Sequence, residues 1–456
     1  MKEKLFGSSG VRGVANLDLT PEFVLRFGLT LANFTAGGKI AVGFDTRISS
    51  QMVVHSLIAG LLAGGAEVKN HGLIPTPVLA YLTLDARCKA GAMVTASHNP
   101  ADYNGVKLFD KDGMAFNHDL ENAIEKRYNS TDLKRASWSA LRTVETVDST
   151  NQYIEMIRNM VLIEKSWKVV VDPGCGAAYS LGPRLFREQG CRVLTVNAHP
   201  DGFFPGRDPE PSADSLSVLS RVVKETGSDA GVAYDGDADR MAIVDETGEL
   251  VPMDQLIAAY GAYLVSLNEK TIVVPVDASM CIEESIVGVG GSVIRTAVGD
   301  VNVAEAVLKH NAALGAEASG AWINPRYSLC PDGILSSMLV LATVSSQRVT
   351  TTLSKFVNSI SRYPILRGKV PCPDELKTAV MNEFQSELFK IMPEKSEILT
   401  IDGVRAASED GWILMRPSGT EPVLRITVEA KGRSKAELLM TQTLALVQNM
   451  IKRLSH

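Results

Sequence analysis

The sequence lacks the features that would place it in several large classes. No apolar run approaches the ~20 residues that cross a bilayer, so no membrane role is expected. The opening residues, MKEKLFGSSG, have no apolar core of a secretory leader. The formal charge is −6, which leaves no basic surface broad enough for a nucleic-acid backbone. A small anionic ligand held by a few local Arg and Lys residues remains compatible with that balance. Only six cysteines occur in 456 residues, at 88, 175, 191, 281, 330 and 372, without a CxxC or any paired spacing. Neither a zinc site nor a disulfide framework follows, and a reducing, cytoplasmic setting is expected. What remains is an ordinary globular composition, 45% hydrophobic and 21% charged, in a chain long enough for three or four domains.

An internal repeat organises the chain. Three β-rich runs end alike: IAVGFDTR at 40–47, VVVDPGCG at 169–176 and IVVPVDAS at 272–279. Each is followed by a helix-compatible segment, a second glycine-opened strand-like run, and a third run leading into an unusual loop. The spacing is that of βαβαβ units with strands buried on both faces, so three related α/β domains are expected. The boundaries read as 1–150, 151–250 and 251–365. In open α/β sheets ligands bind beyond the carboxyl ends of the strands, which makes the three loops candidates for one site. The last stretch differs. SRYPILRGKVPCPDE at 361–375 reads as a linker; a helix over LKTAVMNEFQSELFKIM, strand-like runs GWILMRPSGTEP and VLRITVEAKG, and a long amphipathic helix from Ser434 to Leu454 follow. That pattern predicts a small α+β domain over 366–456.

The loops carry the chemistry. The first is Thr95-Ala96-Ser97-His98-Asn99-Pro100, which places a serine just past a strand end with His98 and Lys107 near in sequence. Ser97 can be a nucleophile or phosphate carrier, or an ordinary turn or helix cap. The second is Asp235-Gly236-Asp237-Ala238-Asp239-Arg240. Alternating carboxylates can face one side of an extended loop, where they repel one another unless a cation sits among them. Oxygen-only ligation points to Mg²⁺ or a similar hard ion. An EF-hand fails, because position 6 counted from Asp235 is Arg240 where glycine is needed. A phosphatase with Asp235 as nucleophile, or a solvated acidic turn, stays open. The third loop, Gly315-Ala316-Glu317-Ala318-Ser319-Gly320, sets one carboxylate among small residues, suited to sugar hydroxyls or to a plain turn. The fourth, Arg416-Pro417-Ser418-Gly419-Thr420-Glu421-Pro422 with Arg425 beyond it, is either a phosphate cradle or a hairpin turn. A fifth glycine-rich stretch, FGSSGVRG at 6–13, carries Arg12 and lacks P-loop spacing. Together these suit phosphoryl transfer on a hydroxyl-rich small molecule, which needs mainly positioning and charge neutralisation.

The full set, FGSSGVRG, TASHNP, NGVK at 104–107, DGDADR, GAEASG and RPSGTEP, falls in order across the whole chain and resembles the α-D-phosphohexomutase family. The resemblance implies four domains around a central cleft, three sharing an α/β topology with mixed sheets and the last α+β. It implies an isomerase that moves phosphoryl between the 1- and 6-positions of a hexose through phosphorylated Ser97 and a 1,6-bisphosphate, which also serves as activator. One Mg²⁺ per chain would be held by Asp235, Asp237, Asp239 and a phosphoserine oxygen. Arg12, Lys107 and Arg240 would line the phosphoserine, with Lys107 the favoured acid–base residue and His98 close by. Glu317 and Ser319 would read sugar hydroxyls, and Arg416, Ser418, Gly419, Thr420 and Arg425 would hold the phosphate not being transferred. The resemblance points first to glucosamine phosphates, next to a phosphomannomutase/phosphoglucomutase of broad specificity; a metal-dependent sugar phosphatase is the alternative from another class. A monomer or homodimer is expected. Many relatives end the third motif in Ser-Gly-His, whereas Ala321 follows Gly320 here, and Ala318 stands where relatives often carry Gln or Met.

Overall fold

The computed structural model describes residues 5–7, 10–148, 150–346, 351–419 and 421–455. The chain forms two compact units, residues 1–253 with 299–358, and residues 254–298 with 359–456.

In the first unit, strand Lys39–Phe44 is the centre of the first repeat. Ile40, Ala41 and Val42 have no exposed surface, as the β-branched run suggests for a strand covered on both faces. The sheet order is Val11–Val14, Tyr103–Phe109, Ala90–Val94, Lys39–Phe44, Glu67–Leu73, Val144–Thr146. Ala90–Val94, Lys39–Phe44 and Glu67–Leu73 are parallel, and Tyr103–Phe109 folds back antiparallel on Ala90–Val94. The second repeat copies this arrangement. Ala230–Tyr234, Lys168–Asp172 and Arg192–Thr195 are parallel, with Met241–Asp245 antiparallel on Ala230–Tyr234. Functional loops therefore occupy the same topological place, between the third strand of each repeat and its returning partner. Helix Pro21–Phe34 starts where Pro21 follows the Thr20 cap, whose hydroxyl accepts from the Phe23 amide.

The third repeat supplies the same pieces. The hairpin of Leu314–Ala316 and Trp322–Ile323 lies in the first unit; the parallel pair Thr271–Pro275 and Ser292–Thr296 lies in the second. The second unit also holds a five-stranded antiparallel sheet in the order Ile365–Pro371, Val423–Ala430, Gly411–Pro417, Val404–Ser408, Glu397–Leu399. Helices Asp374–Glu387 and Arg433–Leu454 bury Val380, Phe384, Val447 and Met450 against Ile413, Met415, Ile426 and Val428 on one face. The other face sets Trp412 and Leu414 on Val276 and Met280.

The segment 361–375 is not a linker. Ile365–Pro371 forms the edge strand of that sheet, in antiparallel register with Val423–Ala430. Pro364 precedes the strand and Pro371 is its last residue, positions where an edge tolerates a missing donor. Among the described residues no helix is long and apolar enough to cross a membrane.

Candidate active site

Ser97 lies three residues beyond strand Ala90–Val94, every residue of which is buried. Its backbone takes the left-handed conformation, φ +51°, uncommon for a residue with a Cβ. The Thr95 hydroxyl accepts from the Ser97 amide at 2.8 Å. The Ser97 hydroxyl, in a residue only 2% exposed, donates to Asp235 Oδ2 at 2.6 Å and lies 3.2 Å from His98 Nδ1. Burial, then the charges of Arg240 and Arg12, lowers the His98 pKa to about 4, so the imidazole is neutral at pH 7.

Asp235, Asp237 and Asp239 follow strand Ala230–Tyr234 at the matching place in the second repeat. One carboxylate oxygen from each lies within 4.8 Å of the others. Asp235 accepts from Ser97 on one oxygen and from the Arg240 amide on the other, and Asp237 accepts from the Thr76 hydroxyl. Asp237 Oδ1 and Asp239 Oδ1 are buried without a hydrogen-bond partner. Burial together with Asp237 and Asp239 raises the Asp235 pKa well above the usual range, and burial with Asp239 raises Asp237 to about 6. Orphaned buried carboxylate oxygens at this separation fit a hard divalent cation. Gly236 is required by the approach of the two loops, since a Cβ there would come within 2.6 Å of the Ser97 carbonyl oxygen.

The cations are arranged around this cluster. Lys107, on strand Tyr103–Phe109, contacts Asp300 at 2.8 Å and Asp239 at 3.2 Å. Burial alone would favour the neutral amine, but Asp300 and then Asp239 hold it protonated. Burial would likewise raise Asp239, yet Lys107 and Arg240 keep it below the ordinary carboxylate value. Arg12 donates to the Asn99 side chain at 2.8 Å and leaves Nε buried and unpartnered. Arg240 pairs through its backbone with Ala321, which brings the third loop alongside. Glu317 accepts from the Gly299 amide at 3.2 Å and from the Ser319 hydroxyl at 3.3 Å, and Ser319 itself is exposed. Ser97, His98, Lys107, Arg12, the three aspartates, Arg240, Glu317 and Ser319 all belong to this unit.

In the second unit Arg416 and Arg425 face each other across adjacent strands and line a cavity of about 450 Å³ with Asp277, Arg367, Lys369 and Glu421. Arg416 contacts Asp402 at 2.6 Å, while its Nε is buried without a partner. The Ser418 hydroxyl accepts from the Glu421 amide at 3.2 Å, and the adjoining Gly419 is open to solvent on its Cβ side. Thr420 lies outside the described residues, as do Ser8 and Ser9 of the glycine-rich stretch. Cations converging on one cavity suit a phosphate dianion.

Several members went unnoticed in the sequence. Asp300 sits in AVGDVN, where nothing local marks it as the partner of Lys107. Arg367 and Lys369 were hidden in the supposed linker. Asp45 and Asp172 were visible only as the shared ending of the repeat strands.

Four domain families match the chain in order: phosphoglucomutase/phosphomannomutase alpha/beta/alpha domain I over residues 3–135, domain II over 151–248, domain III over 252–363, and the C-terminal domain over 369–446. The chain is 45% identical to a "probable phosphoglucosamine mutase" of Methanothermobacter thermautotrophicus, across 99% of this chain and 100% of the relative. It is 42% identical to a protein of the same description from Pyrococcus abyssi, across 99% of each. Among solved structures it is similar to a phosphoglucomutase/phosphomannomutase family protein of Burkholderia thailandensis, with a TM-score of 0.88 and 25% identity over 98% of this chain and 97% of the other.

Proposed function

The chain belongs to the phosphoglucomutase/phosphomannomutase family and is a phosphosugar isomerase; within that family we propose that it interconverts glucosamine 6-phosphate and glucosamine 1-phosphate, with Ser97 as the phosphoryl carrier. The observation that carries the chemistry is the Ser97 hydroxyl held 2.6 Å from Asp235, in a carboxylate cluster with two unsatisfied oxygens. The choice of glucosamine rests on the descriptions of the full-length relatives.

Phosphorylated Ser97 passes its phosphoryl group to the free hydroxyl of the sugar monophosphate. The Oγ–P bond breaks, an O–P bond to the sugar forms, and the hydroxyl proton moves to the protein. The resulting 1,6-bisphosphate turns end for end, and its other phosphate returns to Ser97 by the same steps reversed. Asp235, Asp237 and Asp239, with an oxygen of phosphorylated Ser97, would hold Mg²⁺, which supplies neutralisation of the phosphoryl oxygens when bound. Lys107 enters as an ammonium, able to neutralise phosphoryl oxygens and to protonate the departing Ser97 oxygen. His98 beside Ser97 is neutral and can accept a hydrogen bond there, while burial, Arg240 and Arg12 make it a weak base. Arg12 and Arg240 add positive charge around the same cluster, and Glu317 with Ser319 receives sugar hydroxyls. Arg416, Ser418, Gly419, Thr420 and Arg425 grip the phosphate not in flight. A phosphatase using Asp235 as nucleophile would leave the Ser97 hydroxyl on Asp235 without a role. Six free, buried cysteines agree with a cytoplasmic enzyme.

Side-by-side assays on glucosamine, mannose and glucose 6-phosphates, started with the matching 1,6-bisphosphate, test the substrate. Preference for the amino sugar is expected. Comparable turnover of mannose 6-phosphate with none of glucosamine 6-phosphate would overturn it in favour of the broad-specificity reading, which the bare methyl groups of Ala318 and Ala321 also suit.

A further inference from the structure

Two buried ion pairs that touch none of the reacting atoms hold the backbones of the loops that carry them. Asp45 follows the first-repeat strand Lys39–Phe44 and pairs with Arg47 at 3.1 Å, both side chains wholly buried. Its other contacts are the Arg47 amide, the Ser50 hydroxyl and the Thr95 hydroxyl, and Thr95 in turn accepts from the Ser97 amide. The Arg47 guanidinium donates to the Ser97 carbonyl at 2.8 Å, to Asn99 at 2.6 Å, to Tyr103 at 2.9 Å and to Pro100. Both backbone polar groups of Ser97 are therefore tied to one Asp–Arg pair, at a residue held in the left-handed region.

The second repeat has the counterpart. Asp172 ends strand Lys168–Asp172 and pairs with Arg207 at 3.0 Å. Arg207 donates to the carbonyl of Tyr234, the residue before Asp235, at 2.6 Å, and to the carbonyl of Asp208 at 2.9 Å. The segment bearing Arg207 also reaches the first pair. The Phe204 ring lies 5.2 Å from the Arg47 guanidinium carbon, and a Cβ on Gly202 would meet Thr46 O and Ile48 N at 2.4 Å.

We infer that Arg47 and Arg207, joined through Phe204, are positioning residues that set the Ser97 hydroxyl against the aspartate cluster. Neither guanidinium is available to a substrate, since each is buried and directed at main-chain carbonyls. Lysine cannot replace either one, because a single ammonium does not span the carbonyls that the planar fork reaches. The inference rests on Ser97 being the phosphoryl carrier.

The test uses the full chain as Arg47→Lys, Arg207→Lys, Phe204→Leu and the Arg47→Lys/Phe204→Leu double variant. Phosphate uptake on Ser97 from glucosamine 1,6-bisphosphate is followed by intact mass, alongside kcat, KM and Tm. For Arg47→Lys, kcat and the uptake rate should fall on the order of 100-fold with KM within about threefold, because misplacement acts on the reacting atoms rather than on binding. Arg207→Lys should behave likewise. Phe204→Leu should lose about tenfold, and the double variant should be no slower than Arg47→Lys alone, since the ring acts through that arginine. A folded Arg47→Lys that takes up phosphate and turns over at the wild-type rate, with only Tm reduced, overturns the inference. Should Arg47→Lys fail to fold, wild-type kcat in Phe204→Leu overturns it instead. Wild-type protein that turns over without phosphate on Ser97 removes the carrier reading itself, a separate result.

Discussion

The aspartate cluster of the first unit and the arginine cavity of the second treat charge in opposite ways. Around Ser97, Lys107 and Asp239 are 4% and 8% exposed in their side chains, and each charge already has a fixed partner. Around Arg416 the pairs are more exposed, with Arg425 and Glu421 at 57% and 43%. Desolvated, prearranged charges act strongly on charge that develops during reaction, whereas exposed ones are screened and exchangeable. Under the proposed function, transfer belongs to the first region and retention of the second phosphate to the other. Changes in the first should reach kcat, and changes in the second KM.

The largest break in that contrast should come from Ser97→Ala, which should lose on the order of 10⁴-fold in kcat or more, measured by product formation. Asp300→Asn should lower kcat on the order of 100-fold. It should also move the alkaline limb of the pH–rate profile to lower pH, because Asp300 is the nearer of the two carboxylates holding Lys107 protonated. Arg416→Ala should raise KM about 30-fold while kcat changes little, as expected for a charge-assisted contact outside the transfer step. A large loss in kcat there would merge the two regions.

Thermal melts across pH sharpen the contrast from another side. Asp237, raised to about 6 by burial and by Asp239, binds its proton more tightly when folded than the ~3.9 of a free carboxyl. Its contribution to stability is therefore complete below the unfolded value and is lost as pH rises through about 6. Mg²⁺ should raise Tm clearly at pH 7 and much less at pH 5, where protons compete for the same oxygens. The smallest effect should be that of Arg425→Ala, a KM increase of about threefold that fades with added salt and leaves Tm unchanged.

Legibility in the sequence followed how local each feature is. The three α/β repeats could be read because each strand is a contiguous β-branched run with the same Asp ending. Ser97 and the aspartate triplet stood out because their chemistry is packed into six residues. Asp300 was invisible because its meaning lies in a contact with Lys107, 193 residues away. Arg47 ended a recognised run and Arg207 lay in none, because a guanidinium that clasps main-chain carbonyls leaves no pattern of its own. The strand Ile365–Pro371 was misread because its prolines look like breakers until the sheet edge they occupy is known.

The central claim is that phosphoryl passes through Ser97. Intact-mass and peptide analysis of the wild-type chain charged with glucosamine 1,6-bisphosphate, then discharged with glucosamine 6-phosphate, tests it directly. One phosphate on Ser97 should appear with the bisphosphate, leave on addition of the monophosphate with formation of sugar bisphosphate, and be absent in Ser97→Ala. Full turnover by a chain whose Ser97 never carries phosphate would contradict it.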